Sequence, residues 1–76
     1  RFNKFLYNTT PITKVLEDFE RHYGIHVETE IYNIDELRYT GLFMRDIGAQ
    51  KALDIVSFSF ELNVEKKGGN TYLVKN

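Results

Sequence analysis

Ile25, Val27, Thr29 and Ile31 alternate with His26, Glu28 and Glu30, the period-two pattern of a strand buried on one face and wetted on the other. Just upstream the period lengthens. Ile12, Val15, Leu16, Phe19 and Tyr23 form one stripe of a helix whose other side carries Lys14, Glu17, Asp18 and Arg21. Thr10-Pro11 is expected to open that helix, with Thr10 accepting from an otherwise orphan N–H and Pro11 at the first helical position, where a missing donor costs nothing. Gly24 supplies the left-handed stop. Ahead of the helix, Phe2 to Tyr7 is too short and aromatic for a helical turn and predicts a strand, with Phe2 and Leu6 on one side and Phe5 and Tyr7 on the other, so that both faces are expected to touch protein.

The second half follows the same order. Asn33-Ile34-Asp35-Glu36-Leu37 offers an N-cap with a glutamate three residues on, so a single helical turn can tuck Ile34 and Leu37 inward as a connection. Tyr39 to Met44 predicts a strand with Gly41 in its interior, where a neighbouring group comes close. Asp46 is the expected cap of a second helix running to about Ser57, with Ala49, Ala52, Leu53 and Val56 on one side and Ile47, Ile55 and Phe58 on another. Phe60, Leu62 and Val64 alternate with Glu61, Asn63 and Glu65, and Lys66-Lys67-Gly68-Gly69-Asn70 forms a hairpin loop into a last strand, Thr71 to Lys75.

The two halves superimpose when the chain is shifted so that Lys14 falls on Lys51, a displacement of 37 positions: Phe5 then meets Leu42, Leu6 meets Phe43, Leu16 meets Leu53, Phe19 meets Val56 and Val27-Glu28 meets Val64-Glu65. Similarity at one fixed offset marks a supersecondary unit used twice. The order is β-α-β followed by β-α-β-β. A single sheet backed by two helices needs one apolar stripe per helix, whereas the two stripes of the second helix imply cover on two sides. The expected fold is therefore α+β, a duplicated β-α-β unit with two helices sandwiched between a two-stranded and a three-stranded sheet. All 76 residues belong to one domain, near the size at which only ~60% of the unfolded chain's surface is buried.

Composition narrows the function classes. With 42% apolar residues the chain can form a core, and a net charge of −1 sets up no long-range field toward nucleic acid or an anionic membrane. No cysteine is present, which removes disulfides and thiolate metal sites and suits both cytoplasm and bacterial periplasm. No apolar run reaches the ~18 residues needed to span a bilayer. Arg1 stands where a start methionine is expected and the only methionine is Met44, so the chain has the look of a piece of a longer polypeptide.

Candidate chemistry is sparse. His22 and His26 have the spacing of a helical zinc pair, but Gly24 ends the helix between them. The glycines after Lys66-Lys67 lack the spacing and following helix of a phosphate cradle. Ser57 and Ser59 have no histidine and carboxylate at a triad-like spacing, and Glu17-Asp18 and Asp35-Glu36 fit helix-surface and cap charges. No catalytic residue, cofactor or metal ligand is assigned. Surplus aromatics remain, and tyrosine is enriched at interface cores. Tyr7, Tyr32, Tyr39 and Tyr72 lie on or beside the expected edge strands, where an incoming strand can also pair with free backbone; they are the candidate contact residues, against the alternative that all four pack in the core or its rim.

The run Asn8-Thr9-Thr10-Pro11-Ile12-Thr13-Lys14-Val15-Leu16-Glu17, then Glu20 to Ile25, Leu37-Arg38-Tyr39-Thr40-Gly41-Leu42-Phe43 and Ala49 to Asp54 resembles the C-terminal periplasmic domain of FecR-type anti-sigma regulators, especially those of the Bacteroidota, itself related to the short N-terminal domain of secretins and TonB-dependent transporters. The resemblance covers nearly the whole chain and rests on structural marks: a helix-opening proline, a C-cap glycine and a Thr-Gly-x-Phe strand. Gly48 and the long Lys66–Asn70 hairpin depart from it mildly. It implies a periplasmic protein-binding module of a single-span inner-membrane regulator, whose cytoplasmic part holds a sigma factor and whose partner is the signalling domain of an outer-membrane TonB-dependent transporter. The alternatives are the N-terminal signalling domain of such a transporter or of a secretin, and a small nucleic-acid-binding α/β module.

Overall fold

The structure is a computed structural model and describes residues 3–76. The expected contribution of Phe2 to the first strand lies outside the described residues. Along the chain come β1 (Lys4–Pro11), α1 (Ile12–Tyr23), β2 (His26–Glu30), a 3-10 turn (Ile34–Glu36), β3 (Arg38–Met44), α2 (Ala49–Phe58), β4 (Asn63–Gly68) and β5 (Thr71–Lys75). β1 and β3 form an antiparallel two-stranded sheet; the other sheet runs β2-β5-β4, with β5 parallel to β2 and antiparallel to β4. The sandwich expected from the doubled unit is the fold observed. β5, the central strand, carries the unbroken run Tyr72-Leu73-Val74, all buried: Tyr72 and Val74 face the core, and Leu73, on the outer face, is shielded by the side chains of the strands on either side.

One core joins the layers. Phe5, Tyr7, Tyr39 and Phe43 enter it from the two-stranded sheet, Val15, Leu16 and Phe19 from α1, Ala52, Leu53 and Val56 from α2, and Leu62, Tyr72 and Val74 from the other side. The 3-10 turn packs Ile34 and Leu37 against this core as expected, although Asn33 makes no side-chain cap bond. Leu37 also ties the halves together, its carbonyl accepting from the Ile12 N–H at 3.0 Å.

Both helix starts lie later than the cap residues imply. β1 continues through Thr10 and pairs Pro11 with Arg38, so Pro11 is itself the N-cap and the helix begins at Ile12. The Thr10 hydroxyl accepts instead from the Asn8 N–H at 3.2 Å, within the strand. Likewise α2 begins after Gly48, which makes no side-chain cap, and Asp46 sits in the preceding turn. The second stripe of α2 is also not covered as expected. Ile47 and Ile55 are half-buried, but Phe58 is 85% exposed, because the core meets α2 on its Ala52-Leu53-Val56 side. Phe60 belongs to the turn after α2 and not to β4.

The 37-residue repeat holds in the helices and slips in the strands. Val15 and Ala52, Leu16 and Leu53, Phe19 and Val56 are all buried at equivalent positions. Helix ends match as well: Gly24 (φ 65°) and Glu61 (φ 57°) both adopt the left-handed conformation, and the next N–H returns to the helix in each copy, Ile25 to the Glu20 carbonyl at 3.2 Å and Leu62 to the Ser57 carbonyl at 3.0 Å. In the first sheet, however, Phe5 is opposite Phe43 with both facing inward, and Leu6 is opposite Leu42 with both facing out. A one-residue slip in a strand swaps its faces. The extra residue is a bulge in β1 between Tyr7 and Thr10, where Thr9 takes φ 53° and its N–H donates to the Thr40 hydroxyl at 2.8 Å.

The duplicated helix ends carry a prediction. Glutamate occupies at 61 the conformation that glycine occupies at 24, and the left-handed region disfavours residues with a Cβ by roughly 1–2 kcal/mol. Glu61→Gly is expected to raise stability by about 0.5–1 kcal/mol, less than the full strain because glycine also frees the unfolded chain. Gly24→Ala should lower it by about 1 kcal/mol. Urea denaturation of both variants checks the pair, and an equal sign for the two changes would contradict the shared cap geometry.

Candidate functional site

The interior offers no polar cleft. Among the described residues no buried side-chain nitrogen or oxygen lacks a hydrogen-bond partner, and no group of three or more His, Asp or Glu side chains is placed to hold a metal ion. The two histidines diverge. His22 Nε2 lies 3.3 Å from the Arg45 carbonyl, whereas His26 sits 3.5 Å from Glu20 and 3.8 Å from Glu28 on β2. Glu20 serves the fold, since its carboxylate accepts from the Val27 N–H at 2.8 Å and closes the exposed side of edge strand β2.

The four candidate tyrosines separate. Tyr7, Tyr39 and Tyr72 are each 6% exposed, while Tyr32 is 88% exposed. Tyr7 points into the sandwich beside Phe5 and Tyr39, and its hydroxyl donates to Asp18 at 2.9 Å. Asp18 is held in turn by Arg21 at 2.7 Å and Lys14 at 3.3 Å. Tyr72 has the Lys66 ammonium 5.2 Å from its ring centre. Tyr32 alone of the four offers its ring to solvent, because it falls in the turn after β2, where the alternation has ended.

Burial raises the Tyr7 hydroxyl well above the ordinary phenol range, with the hydrogen bond to Asp18 and that carboxylate's charge adding to the shift. Burial also raises Tyr39, and raises Tyr23 against an opposing effect of Arg45. A phenol whose pKa is higher in the folded state gives stability that is complete below its unfolded value of about 10 and is lost as pH rises beyond it. The melting temperature should therefore hold between pH 7 and 9 and fall steeply above about pH 10. Tyr7→Phe should flatten that alkaline fall; an unchanged slope would mean Tyr7 ionises freely.

The two sheets present opposite outer faces. Across the three-stranded sheet, His26, Glu28, Asn63, Glu65, Lys67 and Lys75 surround Leu73, and Lys75 bonds Glu65 at 2.8 Å, which pulls the Glu65 carboxyl below its usual range and lifts the Lys75 ammonium. That face is solvated. On the two-stranded sheet, Leu6 is 72%, Leu42 55% and Met44 43% exposed, with Leu6 directly opposite Leu42 and Lys4 opposite Met44. Lys4, Leu6, Leu42 and Arg45 line a shallow groove there. Arg45 is anchored, its Nε donating to the Lys4 carbonyl at 3.1 Å and its guanidinium carbon 4.8 Å from the centre of the Phe5 ring. A cluster of large apolar side chains exposed on one face marks a contact surface more specifically than scattered ones do.

Tyrosine composition alone misses this surface. Its signal was present in the two-sided apolarity of the first strand, which implies protein on both faces; among the described residues only the inner face is covered. A second exposed apolar position, Phe58, lies with Ile55 on the outer side of α2, flanked by Lys51 and Asp54.

Fold and surface together define a duplicated β-α-β sandwich with a charged outer face on one sheet and a bare apolar face on the other. The chain belongs to the family described as FecR, C-terminal, which matches residues 4–74. Two crystal structures of a candidate anti-sigma factor from Parabacteroides distasonis ATCC 8503 share the fold: one at 18% identity with a TM-score of 0.82 over 96% of this chain, the other at 18% identity with a TM-score of 0.79 over 93%. This chain spans about a third of the length of those chains, 33% and 32%. No curated protein matches it.

Proposed function

We propose that this domain is the periplasmic protein-interaction module of a FecR-like anti-sigma regulator, receiving a signal from the signalling domain of an outer-membrane TonB-dependent transporter and relaying it toward a sigma factor. Membership of the FecR C-terminal family supports the regulator over the transporter's own N-terminal domain. The fold shared with a candidate anti-sigma factor supports the same reading. The observation that carries it is the bare face of the two-stranded sheet, Leu6, Leu42 and Met44, on a molecule whose other sheet face is laced with ion pairs. Such a surface suits docking of another protein. No helix of the described residues is long and apolar enough to cross a membrane.

The test is direct binding. Isothermal titration calorimetry of the parent regulator's periplasmic part with the N-terminal signalling domain of its cognate transporter should give saturable, stoichiometric binding. Absence of heat and of co-elution at tens of micromolar protein would overturn the transporter relay.

A further inference from the structure

We infer that the edge of β3 and the apolar face beside it take an extended segment of a partner protein whose side chains on that face are large and apolar at the centre and aspartate or glutamate at the flanks. This names the partner chemistry of the surface used in the proposed function, and rests on the reading of the domain as an interaction module, not on which protein supplies the segment.

Three observations converge. β3 is hydrogen-bonded to β1 alone, so its other side keeps ladder donors and acceptors for an incoming strand. β1 also has a free side, but the bulge at Tyr7–Thr10 bends it, whereas β3 pairs without interruption from Tyr39 through Gly41 to Met44 apart from the residue facing that bulge. A strand laid against β3 places alternate side chains on the outer face, beside Leu42 and Met44 and in line with Leu6, and buries a row that now stands in water.

Charge selects the occupant. The groove on this face is lined by Lys4 and Arg45 with Leu6 and Leu42, and neither cation has a carboxylate within 4 Å among the described residues. A segment with carboxylates at the flanks of its apolar residues gains both contacts; a basic one meets like charge. The acidic stretch of β2, where Glu20 already occupies the Val27 N–H, offers no comparable opening.

The experiment uses the chain labelled with nitrogen-15 and two synthetic seven-residue peptides, Glu-Thr-Leu-Thr-Val-Thr-Asp, whose acidic and apolar residues share one face of a strand, and its counterpart with lysine at both acidic positions. The acidic peptide is expected to shift the amides of Thr40, Leu42 and Met44 saturably and to protect β3 from hydrogen exchange, while the lysine peptide binds at least ~10-fold more weakly. Leu42→Asp and, separately, Lys4→Glu should each weaken the acidic peptide ~10-fold or more with the remaining amide spectrum preserved. Lys4→Glu leaves the apolar surface untouched, so it reads charge even where Leu42→Asp perturbs the fold. Equal binding of the two peptides, no binding by either, or shifts confined to β2 or α2 would each overturn the assignment. Acidic-peptide binding with no capture of the transporter domain leaves this surface standing and removes the relay; capture of that domain undiminished by Lys4→Glu and Leu42→Asp does the reverse.

Discussion

Phe19→Ala is expected to leave the domain largely unfolded at room temperature. Phe19 has no exposed surface, and its ring meets Phe5 edge-on at 5.1 Å, Tyr23 at 5.9 Å and Phe43 at 5.7 Å, so it holds α1 to both strands of the first sheet. Removing a buried phenylalanine costs about 3–5 kcal/mol in lost transfer energy and residual cavity. Small domains commonly have only about 5 kcal/mol in total. Far-ultraviolet circular dichroism with urea titration reads the outcome, and a loss below about 1 kcal/mol would mean that the ring cluster does not organise the core. The equivalent position in the second copy gives an internal control. Val56 is equally buried but smaller, and Val56→Ala should cost less, about 1–2 kcal/mol.

The contrast between those two positions shows which parts of the fold are legible in a sequence. Positions in α1 and α2 follow the 37-residue shift because helix faces are set by spacing along one continuous element, and both helices end in the same backbone turn at Gly24 and Glu61. The closing hairpin, whose loop narrows to Gly69-Asn70 because β4 runs on through Gly68, and the inward turn at Ile34 and Leu37 were legible for the same local reason. Faces of β1 and β3 were not. A bulge adds one residue through the conformation of Thr9, which no side chain in Asn8-Thr9-Thr10 announces, and period two turns that single residue into an exchange of inside for outside.

The exposed apolar face was half legible for a related reason. Aromatic composition points to tyrosines, yet three of the four have flat amphipathic rings that fill the core and keep a polar atom within reach of Asp18, Lys66 or solvent. Leu6 and Leu42 look like core residues by composition. Their exposure comes from the two-stranded sheet being an outer layer of the sandwich, a property of how layers stack and not of any local pattern. The same holds for Phe58, whose stripe on α2 calls for cover that this chain does not supply.

Gly41→Ala is expected to destabilise the domain by about 1–3 kcal/mol, although alanine has good freedom to adopt an extended backbone. The cause is a close approach, not conformation. Tyr39 and Gly41 face the same side of β3, and the Tyr39 ring leans along the strand over Gly41, so that a Cβ there would lie 2.7 Å from the ring's Cζ and nearly as close to a neighbouring ring carbon, 2.9 Å. Tyr39 cannot swing clear at little cost. It is 6% exposed and packed against Tyr7 at 6.1 Å and Phe60 at 6.4 Å. Tyr7 is also the residue opposite Gly41 in the ladder, so a displaced Tyr39 ring pushes on the side chain that bonds Asp18. A double-mutant cycle isolates this contact. Tyr39→Leu alone should cost about 1–3 kcal/mol through lost packing, and in its background Gly41→Ala should cost close to nothing, a favourable coupling of about 1–3 kcal/mol. Strictly additive losses in urea denaturation would show that Gly41 is required for some reason other than the tyrosine lying across it.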